Sequence, residues 1–298
     1  MDEWKVGDPA DWGDSVGVPD IPYMGYLDDD EEDDDFRRGP RKSLAQRLCD
    51  NAWDMRQKGR YMDAKDFINR AIDEDRNNPE FYNIRAIILQ DLGQFRNSLN
   101  DYNRSLRMRN SQVVRNNKAR LLHKMAHDQM YHALNKERAL ELINEALKLT
   151  NDDFDRKEFL SRKGELMVMM GRKAESTICY MLALEKYDEV AELERQLKIL
   201  KDPNETFICI AGRDLYHNDT PLKEGMIVTI DRDAQNPQAP GEILITHEGK
   251  PVGYVANSFY TLIEYAKSAD EIRDTLKDSQ MAKIMFKYHD GKIVAKLI

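Results

Sequence analysis

The most regular pattern in the chain begins at about residue 44, where apolar residues take up helical spacing and that spacing itself recurs. Gly59 is followed by Gly93 after 34 residues, and each glycine is followed by a small residue five and twelve positions later. A third copy is stretched, and a fourth carries Gly164 and Gly171. The small residues of the four copies are Ala64, Ala71, Ser98, Ser105, Ala139, Ala146, Ser176 and Ala183. The pattern predicts closely packed pairs of helices, with turns at Gly59, Gly93 and Gly171, where a positive φ costs little.

These spacings resemble the tetratricopeptide repeat, a helix-turn-helix unit of about 34 residues. The resemblance covers residues 44–201 and implies an array whose first helices line a groove. Each pair buries its apolar face only against its neighbours, so the array needs a cap at its end. Residues 185–201, with alternating charges around Val190, Leu193, Leu197 and Leu200, are predicted to form that amphipathic capping helix.

Beyond Asp202 and Pro203 the chain changes to short runs of alternating apolar residues, which are typical of strands. The six predicted strands are 207–210, 226–230, 242–246, 251–255, 283–286 and 293–297. Asp290 and Gly291 mark a hairpin turn, and residues 258–276 are predicted to form one helix region. The predicted fold is therefore α+β and multidomain: a helical array (44–201) followed by a small β-barrel with one helix region (205–298).

The order of motifs in this second domain resembles the HIRAN family. The motifs are Gly-Arg-Asp-Leu-Tyr (212–216), Leu-Lys-Glu-Gly (222–225), Arg-Asp-Ala-Gln-Asn-Pro (232–237) and Gly-Lys-Pro-Val-Gly-Tyr-Val (249–255). The resemblance implies a small barrel and, in some members, recognition of the 3′ end of single-stranded DNA. The contacts that it implies here are Arg213, Tyr216, His217, Lys250 and Tyr254. DNA-binding members carry an aromatic residue and an acid after Asn-Pro, whereas this chain has Gln238 and Ala239, which favours a barrel retained for protein contacts.

The first 43 residues differ in composition from both predicted domains. They hold 14 acids and 5 bases, including the uninterrupted acidic run 28–35, and their net charge of -9 equals that of the whole chain. With several prolines and little periodic hydrophobicity, the segment is predicted to be a disordered acidic tail. We hypothesise that the acidic run folds back on a basic stretch of the array and competes with a partner, which would make binding sensitive to salt.

The strongest charge feature of the array lies between Asp101 and Asp128, where seven bases occur without an acid. A basic groove suits an acidic peptide or a phosphate backbone, although ordinary surface charge explains the stretch equally well. The predicted groove residues are Arg107, Arg115, Lys118, Arg120 and Lys124.

Catalytic motifs are missing from the sequence. It has no phosphate-cradling loop, paired Cys-x-x-Cys or nucleophile elbow, so we expect neither an enzyme nor a cofactor. His123 and His127 lie four residues apart on a predicted helix, which suits either a metal pair or, as we favour, a solvated pair. The three cysteines are odd in number and far apart, which is typical of a reducing compartment.

These features together predict a non-catalytic cytoplasmic adaptor or scaffold. It would bind a partner protein or peptide in the helical groove, where an acidic peptide would suit the basic residues, with the β-domain as a second contact surface. The alternative is a nucleic-acid-associated protein whose HIRAN-like domain binds single-stranded DNA ends. No apolar run approaches the roughly 18 residues that cross a membrane.

Overall fold

A computed structural model describes residues 42–216, 221–232, 236, 238–239, 241–258 and 262–298. The chain separates into two units, residues 1–43 and 44–298. The predicted acidic tail, and with it the hypothesis of an acidic run folding back on the array, lies outside the described residues.

The described part of residues 44–201 forms nine helices. They are α1 (Leu44–Gln57), α2 (Tyr61–Glu74), α3 (Pro79–Asp91), α4 (Phe95–Met108), α5 (Gln112–Tyr131), α6 (Lys136–Leu149), α7 (Asp153–Met169), α8 (Lys173–Ala183) and α9 (Tyr187–Leu200). Consecutive helices pack as the pairs α1–α2, α3–α4, α5–α6 and α7–α8, and α9 follows the last pair. The predicted tetratricopeptide-like array is confirmed, and α5 is the long helix that stretches the third copy.

The residues at the repeat positions adopt the turns and the close helix contacts that their residue types predict. Gly59, Gly93 and Gly171 connect the two helices of their pairs with φ between 71° and 76°. Two of the three serines among the small positions add hydrogen bonds between helices: Ser98 Oγ donates to the carbonyl oxygen of Ala86 at 2.7 Å, and Ser105 Oγ donates to that of Pro79 at 2.7 Å. The close helix contact therefore combines small volume with satisfied polar groups.

The described residues of the C-terminal part form a closed barrel of six strands, as predicted. The strands are β1 (Phe207–Ala211), β2 (Ile227–Asp231), β3 (Leu244–His247), β4 (Lys250–Val255), β5 (Gln280–Lys287) and β6 (Ile293–Leu297). Their order is β1-β4-β3-β2-β5-β6, every pairing is antiparallel, and β1 pairs with β6 to close the barrel.

The predicted helix region of the barrel is much shorter than residues 258–276. Among the described residues of this region, only α10 (Ala269–Ile272) is α-helical, followed by a single 3₁₀ turn at Arg273–Thr275. Lys267 pairs with Ile208 of β1 and donates its backbone N–H to the carbonyl oxygen of Phe207 at 2.7 Å. The pairing of Lys267 with β1 interrupts the predicted helix just before Ser268, which then starts α10 with a capping box.

One hydrophobic cluster contains residues of both the array and the barrel. Along β1, Ile208 and Ile210 point into the barrel, whereas Phe207, Cys209 and Ala211 point outward and pack in one cluster with α9. The array side of this cluster is Ala174, Leu193, Leu197 and Leu200. Helix α9 therefore covers both the last helical pair and the outer wall of the barrel.

Two hydrogen bonds cross the same boundary between array and barrel. Gln196 Nε2 donates to the carbonyl oxygen of Lys287 at 3.2 Å. The backbone N–H of Ala174 donates to Glu264 Oε2 at 3.0 Å. Since the residue before α8 makes no side-chain cap, the barrel supplies a carboxylate at this helix start, where an anion is favoured.

Candidate functional site

The first helices of the four pairs, α1, α3, α5 and α7, form the inner layer of the array. Along the array, successive first helices contact each other more extensively than successive second helices do. A row of helices that approaches more closely on one side curves toward that side, so α1, α3, α5 and α7 line the inside of the curve.

Side-chain amides connect neighbouring helices of this inner layer. Asn117 Nδ2 on α5 donates to Asn83 Oδ1 on α3 at 3.2 Å. One residue earlier on α5, Asn116 is hydrogen-bonded to Asn151, just before α7, with Asn116 Nδ2 donating to Asn151 Oδ1 at 3.1 Å. An amide side chain offers both donors and an acceptor, the same groups that an extended peptide backbone carries. These partly exposed amides therefore form a surface able to hydrogen-bond a peptide main chain.

The predicted basic groove residues on α5 are largely engaged with other side chains. Arg120 Nε lies 2.9 Å from both carboxylate oxygens of Asp155, whose side chain is only 5% exposed. Lys118 Nζ lies 2.9 Å from Glu145 Oε1 on α6. Their charges are thus balanced by carboxylates that the sequence places 27 to 35 residues away.

The other three predicted groove residues lie in different surroundings. Arg115 donates to Gln112 and Asn110 next to the start of α5. Lys124 is exposed, with its Nζ 5.5 Å from the ring centroid of Phe95. Arg107 is exposed on α4, the second helix of its pair. The structure therefore places four of the five bases on α5, a helix of the inner layer, and Arg107 on α4.

His123 is a buried residue of the inner layer, and the preference for a solvated histidine pair was wrong for it. Its ring lies 4.6 Å from the ring of Phe159 on α7, and its Nδ1 lies 3.5 Å from Glu158 Oε1. Burial, assisted by the positive charge of Arg162, lowers the pKa of His123 to about 4. His127 is exposed. Among the described residues, no group of three or more His, Cys, Asp or Glu side chains could hold a metal ion.

At one end of the barrel, three of the residues implied by the HIRAN resemblance lie close together in the fold. Tyr216 Oη donates to Asn236 Oδ1 at 2.7 Å. The ring of Tyr254 lies so close to Gly212 that a Cβ atom added to Gly212 would be 2.0 Å from Tyr254 Cε1. Arg213 follows Gly212 directly in the 3₁₀ turn at Arg213–Tyr216.

Asn236 organises this end of the barrel. It is 4% exposed, and its Oδ1 also accepts hydrogen bonds from the backbone N–H groups of Gln238 and Ala239. Its buried Nδ2 has no hydrogen-bond partner among the residues that the structure describes. Burial raises the pKa of Tyr216, and the Asn236 bond opposes that rise. The backbone N–H groups of Gln238 and Ala239 therefore help to hold the side chain of Asn236 in place.

Of the remaining two implied contacts, Lys250 lies apart from this cluster. Lys250 begins β4 and Tyr254 lies four residues later, so about 13 Å of strand separates them. His217 lies outside the described residues.

Comparison with known proteins finds relatives of the array only among solved structures. The sequence matches no protein-family model and no curated protein. MamA is 15% identical with a TM-score of 0.37, covering 50% of this chain and 81% of its own. The first repeat domain of RPAP3 bound to an HSP90 peptide is 20% identical with a TM-score of 0.32, covering 42% and 93%. The type III secretion chaperone SycD of Yersinia enterocolitica, bound to a peptide of the translocator YopD, is 18% identical with a TM-score of 0.32, covering 43% and 92%.

These structures are tetratricopeptide-repeat proteins, and the likeness concerns the helical repeat alone. At such identities and TM-scores it carries no argument about function. No described helix of the chain is long and apolar enough to cross a membrane.

Proposed function

We propose that this protein is a non-catalytic adaptor that binds an extended peptide segment of a partner protein along its inner helices. The observation that supports this most directly is the row of side-chain amides shared between α3, α5 and the start of α7. Exchanging the Asn83–Asn117 bond for bonds to a peptide backbone costs little, because donors and acceptors are replaced one for one. The three buried cysteines, which form no disulfides, favour a reducing compartment such as the cytoplasm.

The proposed ligand differs from the acidic peptide that sequence alone suggested. Arg120 and Lys118 are already paired with carboxylates, so the inner layer around them offers little unbalanced positive charge. Lys124 and His127, which follow Asn117 on α5 after seven and ten residues, remain exposed. We therefore propose main-chain recognition with a modest preference for acidic side chains near Lys124.

A peptide-library selection on the full chain tests this function. Peptides selected by the wild-type protein should bind the variant N83A/N117A at least about five- to tenfold more weakly, because each lost hydrogen bond is worth about 0.5–1.5 kcal/mol. The matched control is N97A/N100A, which removes two exposed amides from the outer face of α4. Equal losses in both variants, or no loss in the first, would refute peptide binding at the inner amides.

A second candidate function is recognition of single-stranded DNA ends by the barrel. The cluster of Tyr216, Asn236 and Tyr254 supports it, because it combines two aromatic rings with a buried amide that has an unused donor. The test is binding of short single strands with free and with blocked 3′ ends. Preference for free ends, lost on Tyr254→Ala, would support the HIRAN resemblance; equal binding of both ends would count against it.

A further inference from the structure

The outer face of α4 carries positive charge that no carboxylate of the described residues balances. Arg96, Arg104 and Arg107 follow one stripe of this helix at steps of eight and three residues, and all three are exposed. At about 1.5 Å of rise per residue, they lie about 12 Å and about 5 Å apart along the axis. Within the described ranges none of the three forms an ion pair.

Asp101, the one acidic residue of α4, does not lie on this exposed face. Asp101 is 6% exposed and receives two hydrogen bonds from Arg85 of α3, at 2.7 and 2.8 Å. Arg85 also donates to Asn69 of α2, so the carboxylate is held between helices and points away from the arginine stripe. The remaining exposed polar residues of the helix are asparagines, namely Asn97 and Asn100.

Arg104 is held in position by an aromatic ring. Its guanidinium carbon lies 4.2 Å from the ring centroid of Tyr82, which is 1% exposed. Stacking on a ring uses the face of the guanidinium and leaves its N–H groups at the edge available to an oxyanion. The side chain is thus partly ordered before any ligand arrives, which lowers the entropic cost of binding.

This surface suits a phosphodiester backbone better than it suits a peptide. Protein partners usually bind through buried aromatic or aliphatic anchors, and along the stripe only Met108, at the end of α4, is an exposed large apolar residue. Nucleic-acid backbones need no such anchors, because their affinity for a basic surface comes from the release of counterions. The stripe also lacks an exposed aromatic residue on which a base could stack, so contacts would be independent of base sequence.

We propose that Arg96, Arg104 and Arg107 form a sequence-independent binding surface for the phosphodiester backbone of nucleic acid. The surface lies on the second helix of its pair and is separate from both the inner amides and the barrel end. Each arginine contributes one phosphate contact, so the three together contribute about 2 to the logarithmic salt slope with single strands and about 3 with duplexes.

The experiment measures binding of the full chain to a fluorescent circular single strand and to a duplex, across a range of salt. A circular strand has no end, so the barrel-end candidate does not contribute to its binding. Between about 50 and about 200 mM salt, the three arginines should account for about 20-fold loss of affinity with the single strand and about 40-fold with the duplex. The triple variant R96Q/R104Q/R107Q should lose this share of the salt dependence.

Two further variants separate binding from folding and from overall charge. R96Q/R107Q leaves the Arg104–Tyr82 contact intact and should still lose two-thirds of the predicted slope. K65Q/R70Q/R138Q removes the same charge from helices where acids are interspersed, and should bind like the wild type. The proposal is overturned if the wild type does not bind the circular strand or the duplex, or if the control loses as much affinity as the triple variant. It is also overturned if polyglutamate of equal charge binds the stripe more tightly than the nucleic acids, because the partner would then be an acidic protein.

Discussion

Replacing Leu197 with alanine tests whether the barrel is held energetically by the array. Leu197 is 6% exposed and packs in the cluster that joins α9 to the outward-facing residues of β1. Truncating a buried leucine to alanine costs about 2–5 kcal/mol, because transfer and cavity terms add. The loss should fall on the boundary between array and barrel, since each element of a stacked array contacts only its neighbours.

The native cysteines provide the assay. Cys209 lies at this boundary with no exposed surface, whereas Cys49 lies in α1 at the opposite end of the array. Burial raises the pKa of Cys209 to about 11 and that of Cys49 to about 12, so both thiols react only when their surroundings open. Mass spectrometry of alkylated peptides then follows the opening of each site separately.

The expected result is a selective increase in labelling. In Leu197→Ala, Cys209 should react at least about 30-fold faster, the factor that corresponds to about 2 kcal/mol, and Cys49 should change little. Leu184→Ala is the control, because Leu184 is 68% exposed and its truncation should cost less than about 0.5 kcal/mol. The reasoning is refuted if Cys209 keeps its protection in a folded variant, or if Cys49 becomes as reactive as Cys209.

Three further predictions concern single sites. The folded state lowers the pKa of His123 to about 4, below its unfolded value near 6.5. The free energy of unfolding should therefore fall by up to about 3 kcal/mol as the pH drops from about 6.5 to about 4. The variant His123→Phe, measured by urea unfolding, should lack this pH dependence. Arg120→Met leaves the carboxylate of Asp155 buried without its partner and should cost about 3–5 kcal/mol by thermal unfolding, whereas R120M/D155L should recover most of that loss. Gly212→Ala combines a positive φ of 67° with a clash against Tyr254, and a changed Tyr254 NMR signal at nearly unchanged helical content should report it.

The regular parts of the fold could be predicted from the sequence because their signals are local. Spacing and turn residues identified the helical pairs, and alternation identified all six strands to within a few residues. The helix at residues 258–276 was overpredicted because its first part is held by pairing between Lys267 and β1, a contact between residues about 60 positions apart. Local propensity carries no information about such a contact.

The basic residues predicted for the groove show a second limit of prediction from sequence. A run of seven bases without an acid is visible in the sequence, but which bases remain unbalanced depends on residues from other helices. Arg120 is matched by Asp155 and Lys118 by Glu145, whereas Arg104 and Arg107 have no such partner within the described ranges. The periodicity of α4 did contain a signal for them, because Arg96, Arg104 and Arg107 fall on one helical face. What the sequence could not give was the burial of Asp101.

The composition of strand β1 also indicates what surrounds it. All five of its residues are apolar, and all are buried. A strand of a barrel with one wall in solvent should alternate, whereas a run that is apolar on both faces is typical of a strand covered on both sides. The residues Phe207, Cys209 and Ala211 therefore indicated a second layer outside the barrel, which proves to be α9.

The packing of α9 between the array and the barrel limits which ligands could bind both parts at once. With α9 packed on one side against α8 and on the other against β1, no flexible linker separates the array from the barrel. Two binding surfaces joined rigidly raise each other's effective ligand concentration only for ligands that match their separation. A partner that engages both the inner amides and the barrel end would therefore be selected by its length as well as by its chemistry. Loosening the boundary at Leu197 should relax that selection while leaving each single-site affinity unchanged.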